Sequence, residues 1–293
     1  MSKAYLYGGI GNQLFQLSAG KFFSRGNPAN ETYCHLITKN EAVHNSEHDL
    51  DYLLSRELPR LNNRILRRLF RRIARQNRTF RYLVCKTAGI YFAPTDRPVE
   101  EHWFDKTSIN AIDGYFQSQK YALFAKPILD EALSQIENRD RFKSTIRDFN
   151  IDFHWDIAVH VRRGDYLLPS GLHANLEFDY FERATNQFDV LNENRKKIRI
   201  LVFSDDPNLE KLTYFSSAIA DKVEIFENRY DLMDIEVIAL MSKFHRIVIS
   251  NSTFSWWAAF LGKSPKEVVA PSRWFKLENS GNQPLEVDDW IYV

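Results

Sequence analysis

The chain has 293 residues, of which 44% are hydrophobic and 26% are charged, and its net charge is +1. This balance is typical of a globular protein with one large domain or two moderate ones. Two cysteines, Cys34 and Cys85, are too few for a disulfide framework or a metal cluster, which favours a reducing compartment. The sequence shows no signal peptide and no apolar run of about 18 residues, so we expect a cytoplasmic protein.

The first half opens with a strand, a tight turn and a helix, the opening unit of a Rossmann-like fold. Ala4–Tyr7 predicts the strand, and Asn12–Phe23 has helical spacing. Residues 24–60 are polar and predict an irregular region. Residues 61–75 predict an amphipathic helix. Its apolar stripe recurs at every fourth position, at Leu61, Ile65, Leu69 and Ile73.

A basic segment covers this predicted helix. From Leu58 to Thr95 there are ten Lys or Arg residues and no acid, which leaves a net charge of −9 on the rest of the chain. We favour a solvated helix whose apolar stripe packs on the N-terminal half. The alternative is peripheral contact of residues 60–81 with the anionic inner face of a membrane. We expect no nucleic-acid partner.

The second half alternates strands and helices. The strands are predicted at Ile157–Val161, Arg199–Phe203, Val223–Phe226, Arg246–Ile249 and Glu267–Ala270. Helices are predicted at Phe178–Phe188, Asp231–Lys243 and Ser255–Leu261. Such alternation indicates a parallel sheet covered by helices. We therefore predict an α/β protein of two Rossmann-like lobes with a cleft between them, covering residues 1–150 and 151–293.

Two arginines follow the strand at Ile157–Val161, within the segment His160–Tyr166. Ligands bind at the carboxyl ends of parallel strands. Arg162 and Arg163 can present planar, permanently charged groups to a diphosphate there, and Asp165 can hold a guanidinium in place. Neighbours on an extended backbone point opposite ways, so we expect one arginine to face the ligand. A surface salt bridge is the simpler interpretation of this segment alone.

A polar turn follows the strand at Arg246–Ile249 and opens a helix. It carries Ser250, Asn251, Ser252, Thr253 and Ser255. Backbone N–H groups at a helix N-terminus, together with hydroxyls, form an anion site, which predicts phosphate contact. The alternative is simple helix capping. Trp256 and Trp257 are expected in the core.

A glycine turn, Gly8–Gln16, follows the first strand. Leu14 stands where a dinucleotide-binding motif has its third glycine, so a nicotinamide site is not expected. Glycines allow a ligand to approach the backbone closely. The candidate contacts of this turn are Gly9, Gly11, Asn12 and Gln13.

Ser204, Asp205 and Asp206 end another strand. They could bind a metal, contact a ribose or base, or cap a helix. One carboxylate pair does not make a metal site, so no metal is expected.

These segments, taken in order, resemble the α-1,2-fucosyltransferases of glycosyltransferase family 11. The resemblance rests on Gly8–Gln16, Gly114–Ser118, His160–Tyr166, Phe203–Asp206, Ser250–Ala259, Val269–Phe275 and Asp289–Ile291. Two positions depart from the family pattern. Pro207 follows the acidic pair where a Trp is usual nearby, and Phe244 replaces a common Cys.

The resemblance implies a GT-B-like fold and inverting, metal-independent transfer of L-fucose from GDP-β-L-fucose. The implied acceptor is a hydroxyl, expected at O2 of a terminal β-galactoside, in O-antigen or oligosaccharide biosynthesis. The N-terminal lobe would bind the acceptor and the C-terminal lobe the donor, with the C-terminal tail packing back on the first lobe. Alternatives are a same-fold transferase with another linkage or sugar, or a non-catalytic glycan- or nucleotide-binding protein.

The resemblance also implies roles for individual residues. Arg163 is the first candidate for the diphosphate clamp and Arg162 the second, with Ser252 and Thr253 assisting at the phosphates. Either Asp234 or Glu236 would read the guanine. Asn12 is a candidate for positioning near the reacting centre, and His173 and Gln13 are candidates for substrate binding. The candidates for the general base are His160, Asp165 and His173.

Overall fold

The chain forms two compact units. The structure, a computed structural model, describes residues 2–24, 31–37, 46–62, 64–93, 99, 101–106, 109–162, 176, 178–188, 198–205, 220, 222–262, 266–274 and 285–293. The N-terminal unit is Met1–Ala132 with Ser280–Leu285, and the C-terminal unit is Leu133–Asn279 with Glu286–Val293. This division falls earlier in the chain than the boundary near residue 150 that the strand pattern predicts.

The N-terminal unit is a five-stranded parallel sheet with helices. Its elements are β1 Ser2–Leu6, α1 Ile10–Phe23, β2 Glu31–Ile37, α2 Ser46–Leu53, β3 Arg60–Asn62, α3 Arg64–Ala74, α4 Arg78–Ala88, β4 Ile90–Phe92, α5 Trp103–Lys106, β5 Ala111–Asp113 and most of α6, Gln119–Ile136. The strand order is β3-β2-β1-β5-β4, and all pairs are parallel. Because β1 is central, the glycine turn that follows it lies between the ends of β2 and β5.

Close packing of α1 on the sheet leaves room only for glycine at position 20. A Cβ atom at Gly20 would lie 2.7 Å from Cε1 of Tyr33 and 3.1 Å from Cβ of Ala4. Leu14 and Leu17 are fully buried on the same helix, as the predicted periodicity requires. A side chain larger than hydrogen at position 20 would push α1 away from the sheet.

Residues 24–60 are not irregular, and this prediction is wrong. They contain β2, α2 and the start of β3. The apolar side chains of β2 become buried because the strand pairs with β1, with Tyr33 opposite Ala4 and Cys34 opposite Tyr5. Parallel pairing of this kind joins segments that are distant in sequence, so a short half-polar strand has little local signal.

The apolar stripe predicted at residues 61–75 is also partly wrong. Leu61 belongs to β3, and α3 begins only at Arg64. The helix therefore buries a different face: Phe70 lies in the core, and Leu66 and Ile73 pack against the same cluster. Ile65 and Leu69 of the predicted stripe are instead 79% and 50% exposed.

The C-terminal unit is a six-stranded parallel sheet. Its elements are α7 Asp140–Asp148, β6 Ile157–Val161, α8 Phe178–Thr185, β7 Arg199–Ser204, β8 Lys222–Ile225, α9 Asp234–Met241, β9 Arg246–Val248, α10 Thr253–Phe260, β10 Glu267–Ala270 and β11 Ile291–Tyr292. The strand order is β11-β10-β9-β6-β7-β8. The five predicted strands and three predicted helices of this half are all present.

A hydrophobic core holds the C-terminal sheet. Every residue of β6 is buried, and Tyr180 and Phe181 of α8 pack against it. Trp256 and Trp257 are completely buried, as expected, and Trp256 stacks on Phe260. Two parallel sheets with helices confirm the predicted α/β class with two Rossmann-like halves. In the described part of the chain, no helix is long and apolar enough to span a membrane.

Candidate functional site

Three polar segments meet at the carboxyl edge of the C-terminal sheet. Strand β6 lies between β7 and β9, with Val161 opposite Ser204 and Val159 opposite Val248. The residues that follow these strands are therefore neighbours: Arg162 after β6, Asp205 after β7 and Ser250 after β9. This edge of a parallel sheet is where ligands bind in such folds.

His160 joins β6 to the polar turn after β9. Its Nδ1 atom lies 2.8 Å from Oγ of Ser250, and its ring stacks on Phe254 with 5.2 Å between the ring centroids. Burial, and secondly the Arg162 charge, lower the pKa of His160 from 6.5 to about 3. The imidazole is therefore neutral at physiological pH and acts here as a hydrogen-bonding link between two strand ends.

Arg162 is held by the acid that ends the neighbouring strand. Its Nη1 atom lies 3.0 Å from Oδ2 of Asp205, and both side chains are partly exposed. Ser204, half-buried, precedes Asp205 at the end of β7. The ion pair fixes the direction of a guanidinium at the sheet edge while leaving part of it accessible to solvent.

The polar turn after β9 places its side chains differently. Ser250 is buried against His160, and Asn251 donates from Nδ2 to the Trp274 carbonyl at 3.1 Å. Ser252 occupies the N-cap position of α10, yet its side chain makes no capping hydrogen bond. Thr253, at the first position of the helix, is partly exposed. Simple side-chain capping by Ser252 therefore does not account for this turn.

The N-terminus of α9 separates the two candidate guanine readers. Glu236 is completely buried, and its two oxygens accept from Nε and Nη2 of Arg141 at 2.9 and 2.8 Å. The Met233 N–H also donates to Glu236 at 2.9 Å. Asp234, two residues earlier, is exposed at the start of the helix. Glu236 is thus buried within the fold, whereas Asp234 is exposed.

The glycine turn of the N-terminal unit is tied to the end of β5. Gly8 has φ +81°, a left-handed conformation that favours glycine, and Gly9 is the N-cap of α1. Gln13 donates from Nε2 to the Gly8 carbonyl at 2.8 Å, and Gln117 donates from Nε2 to Oδ1 of Asn12 at 2.9 Å. Gln117 belongs to the Gly114–Ser118 motif, so two motifs distant in sequence share one site. Gly11 lies buried within α1.

A buried acid at the same edge was missed by the sequence reasoning. Asp113 ends β5, directly before Gly114, and is 5% exposed. Burial raises the pKa of Asp113 from 3.8 to about 7, against the opposing charges of Arg67 and Arg71. The signal that could have found it is an acid at a strand end next to a motif glycine.

Some predicted site residues lie outside the described residues. These are Arg163, Asp165 and His173, within the range 163–175, and Asp206. Among the residues that the structure describes, no group of three or more His, Cys, Asp or Glu side chains could hold a metal ion.

Comparison of the sequence with known protein families identifies the family of this chain. The sequence model of glycosyl transferase family 11 matches residues 86–293, which include all of the C-terminal strand-end cluster. The chain belongs to glycosyl transferase family 11. The match also covers the Gly114–Ser118 motif, and the glycine turn at residues 8–16 lies before it.

Other members resemble the chain over part of their length. The O-antigen biosynthesis glycosyltransferase WbnK of Escherichia coli is 35% identical over 138 residues, 46% of this chain and 43% of the relative. An α-1,2-colitosyltransferase of Escherichia coli is 27% identical over 190 residues, 61% of each. The matches thus span about half of these relatives' own lengths. Among solved structures, the fucosyltransferase NodZ from Bradyrhizobium aligns over 89% of this chain and 91% of its own, with 13% identity and a TM-score of 0.46.

Proposed function

We propose that this family 11 protein transfers L-fucose from GDP-β-L-fucose to a glycan hydroxyl, with inversion to an α-linkage. The observation that carries the proposal is the cluster of Arg162, Asp205, His160 and the Ser250 turn at one sheet edge. The acceptor position that we propose is O2 of a terminal β-galactoside. The α-1,2 linkage in the name of the colitosyltransferase, and the O-antigen role in that of WbnK, support this choice.

The C-terminal unit would bind the donor diphosphate. When the bond to fucose breaks, GDP gains negative charge that cations and N–H donors must stabilise. We assign Arg163 as the diphosphate clamp and Arg162, held by Asp205, as a second cation. Ser252 and Thr253 would donate to the phosphates together with the N-terminal N–H groups of α10. Arginines that supply this positive charge make the reaction metal-independent in our proposal, so turnover should be unchanged by EDTA.

Asp234 is the better guanine reader of the two acids. A ligand can reach a carboxylate only where the side chain is exposed at the surface. Glu236 already accepts from Arg141 and from the Met233 N–H, and it is completely buried. Asp234 lies exposed on the same helix end, which itself follows the carboxyl end of β8.

His160 fits a positioning role better than proton transfer. An efficient general base has a pKa near the working pH, and the pKa of His160 is about 3. Its hydrogen bond to Ser250 instead holds the phosphate turn against β6. Asp165 and His173 stay our candidates for the general base that acts on the acceptor hydroxyl. In the N-terminal unit, proposed as the acceptor side, Asn12 and Gln13 would position the substrate.

A donor and acceptor panel tests the function. GDP release would be measured with GDP-fucose, GDP-mannose and a nucleotide-activated colitose, each offered galactose-terminated and galactose-free glycans. We expect turnover with GDP-fucose and a terminal β-galactoside, and a product whose NMR spectrum shows an α-linkage at O2. Preference for another donor or linkage would support a different family 11 specificity. GDP binding without any turnover would favour a non-catalytic nucleotide-binding protein.

We also propose that α3 and α4 contact an anionic membrane surface. Ile65 and Leu69 of α3 and Phe80 and Leu83 of α4 are 79%, 50%, 44% and 57% exposed. Exposed arginines lie between them, at positions 68, 71, 72, 75 and 78. Two other arginines of this segment instead anchor the helices, since Arg67 and Arg81 donate to the carbonyls of Leu36 and Phe92. A basic face with exposed large apolar residues is typical of peripheral membrane contact.

Vesicle co-sedimentation tests this surface. We expect binding to vesicles that contain phosphatidylglycerol, weaker binding at high salt, and release by the triple change Arg68→Glu, Arg72→Glu and Arg75→Glu. The matched control makes the same charge change elsewhere, at Arg139, Lys143 and Arg183, which are also exposed. Each basic residue near such a surface contributes about 1 kcal/mol. Equal binding of both variants, or no binding at low salt, would contradict the proposal.

A further inference from the structure

The Gly114–Ser118 motif exposes an aromatic ring that the proposed donor chemistry does not use. Tyr115 is 38% exposed, whereas its chain neighbours Gly114 and Phe116 are both buried. The motif directly follows β5, at the carboxyl edge of the N-terminal sheet. Because ligands bind at this edge in folds with parallel sheets, an exposed ring here can contact a substrate.

The backbone on either side of Tyr115 has a conformation that few residues adopt. Gly114 has φ +147°, and a Cβ atom there would lie 2.4 Å from Cβ of Ala93, so only glycine fits. Phe116 has φ +52°, a left-handed conformation that is unfavourable for an aromatic residue. Burial holds Phe116 in place, and its ring centroid lies 6.0 Å from that of Tyr121. Strained backbone of this kind is found mainly at binding and catalytic sites, which favours a functional reason for the exposure of Tyr115.

The direction of the Tyr115 ring is fixed by its neighbour Tyr7. The two rings meet edge to face, at 63° and with 5.4 Å between their centroids. Tyr7 is held in turn by the buried Arg67 guanidinium, which lies 4.6 Å from the centroid of its ring and donates to the Leu36 carbonyl at 3.2 Å. An aromatic pair anchored in this way can bind a ligand without first having to become ordered.

Polar side chains lie close to this aromatic pair. Gln117, two residues after Tyr115, donates from Nε2 to Oδ1 of Asn12 at 2.9 Å. Asn12 lies in the first turn of α1 and close to Gly8, since a Cβ atom at Gly8 would lie 3.3 Å from Nδ2 of Asn12. Asn12, Gln117 and Tyr7 are all partly exposed. The hydrogen bond therefore orients two amides at the same part of the sheet edge as the Tyr115 ring.

We propose that Tyr115 stacks on the terminal sugar of the acceptor, and that the amides of Asn12 and Gln117 bind the hydroxyls of that sugar. This inference rests on the proposed function and deepens it, because it names the residue that selects the acceptor sugar. A site of aromatic rings with a few oriented polar groups is the usual composition of a small-ligand site.

The shape of a β-galactoside fits such a ring. Its axial hydroxyl at C4 leaves the C–H bonds at C3, C4 and C5 together on one face of the sugar. This apolar face can pack on an aromatic ring, while the hydroxyls at the sugar's edge exchange hydrogen bonds with amides. In a β-glucoside the C4 hydroxyl is equatorial and the C–H bond at C4 lies on the opposite face, so the stacking face is smaller. Tyr115 would therefore favour galactose over glucose.

Variants of Tyr115 test the stacking. The acceptor KM and kcat would be measured with GDP-fucose and lactose, a β-galactoside, for the wild type, Tyr115→Ala, Tyr115→Leu and Tyr115→Phe. We expect Tyr115→Ala to raise the KM for lactose about 10-fold with little change in kcat, because it removes binding that the ground and transition states share. Tyr115→Leu should behave like Tyr115→Ala, whereas Tyr115→Phe keeps the ring and should keep the wild-type KM. The KM for GDP-fucose should not change in any of them.

The matched control is Phe124→Ala on α6, which removes another ring of the N-terminal unit that is 42% exposed. It should keep the wild-type KM for lactose. An unchanged KM for lactose in Tyr115→Ala would overturn the inference. So would a Tyr115→Phe variant as impaired as Tyr115→Ala, because stacking requires the ring and not the hydroxyl.

Direct binding separates this inference from the proposed transfer. Saturation-transfer NMR would compare lactose with cellobiose, a β-glucoside, on the wild type and Tyr115→Ala. We expect the wild type to give a stronger signal with lactose than with cellobiose, and Tyr115→Ala to weaken the lactose signal. If the wild type bound lactose through Tyr115 but turned over no GDP-fucose, the proposed function would fail and the sugar site would stand. No lactose signal in the wild type, or equal lactose signals in both proteins, would overturn the sugar site.

Discussion

Burial has opposite consequences for the titratable groups at the strand ends of the two units. In the C-terminal unit, Arg162 is permanently charged and paired with Asp205, while burial keeps His160 neutral throughout the physiological range. In the N-terminal unit, burial instead moves the pKa of Asp113 up to about 7. The same physical effect, removal from water, thus takes one group out of proton chemistry near neutrality and brings another into it.

This difference bears on the task of the C-terminal cluster. A leaving diphosphate requires positive charge that does not vary with pH, which arginine supplies. We therefore assign diphosphate binding to the C-terminal cluster, where the cation stays charged and the buried imidazole stays neutral. The N-terminal cluster holds instead a buried group whose charge varies near neutral pH.

The largest effect is expected from Arg163→Ala. Loss of one preorganised donor to the diphosphate should reduce turnover by about 100- to 1000-fold, or about 3–4 kcal/mol. The fold should persist, which the far-ultraviolet circular dichroism spectrum checks. A variant that keeps more than about a tenth of wild-type turnover, a loss below about 1.4 kcal/mol, would contradict the clamp assignment.

Asp113→Asn should raise stability in a pH-dependent way. Below pH 3.8 the carboxyl is neutral in both the folded and unfolded states, so the two proteins should match. As the pH rises from 3.8 to 7, only the unfolded wild type releases this proton, and the wild type loses stability relative to the variant. Urea unfolding at pH 8 should then favour Asp113→Asn by roughly 4 kcal/mol. Equal free energies of unfolding of the wild type and Asp113→Asn at pH 8 would contradict the raised pKa of Asp113.

For His160, we expect the pH dependence of stability to have the opposite sign. Its folded pKa of about 3 lies below the ordinary 6.5, so the neutral form stabilises the fold above pH 6.5. That contribution is lost as the pH falls from 6.5 towards 3, because the unfolded chain binds the proton more readily. In His160→Gln, the part of the acid destabilisation due to this group should be absent, a difference of about 3 kcal/mol at pH 4. If the free energies of unfolding of the wild type and His160→Gln, measured in urea, decreased equally as the pH falls, the buried, neutral state of His160 would be contradicted.

The smallest pair of effects distinguishes Asp234 from Glu236. Glu236→Gln weakens a buried ion pair with Arg141 and should reduce the free energy of unfolding by about 2 kcal/mol, less than for a fully buried pair because Arg141 is partly exposed. Asp234→Asn should leave stability within about 0.5 kcal/mol, as surface changes usually do, and weaken GDP binding. Calorimetric unfolding and GDP titration of both variants measure the two effects. Weaker GDP binding by Glu236→Gln alone would reverse the assignment.

The C-terminal unit could be predicted from the sequence because its signals are local. Ile157–Val161 is a continuous β-branched and apolar run that is buried throughout, and the motif residues follow such runs directly. The alternation of strands with helices then places Arg162, Asp205 and Ser250 at one edge. Their mutual contacts required the strand order, which the sequence does not reveal.

The N-terminal unit was harder to predict because its signals are non-local. The strand β2 is buried through pairing with β1, and the burial of α3 depends on where β3 ends and the helix begins. The burial of Asp113 has the same origin, since this residue ends β5, which pairs with the distant strand β1. An acid before a motif glycine was visible in the sequence, but its burial was not.

Calorimetric titration of GDP into Arg163→Ala and Asp113→Asn, side by side with the wild type, tests the assignment of diphosphate binding to the C-terminal cluster most directly. The account predicts a dissociation constant at least about 10-fold weaker in Arg163→Ala, a loss of about 1.4 kcal/mol or more. It predicts an unchanged dissociation constant in Asp113→Asn. Wild-type GDP affinity in Arg163→Ala, or a comparable loss of affinity in Asp113→Asn, would contradict it.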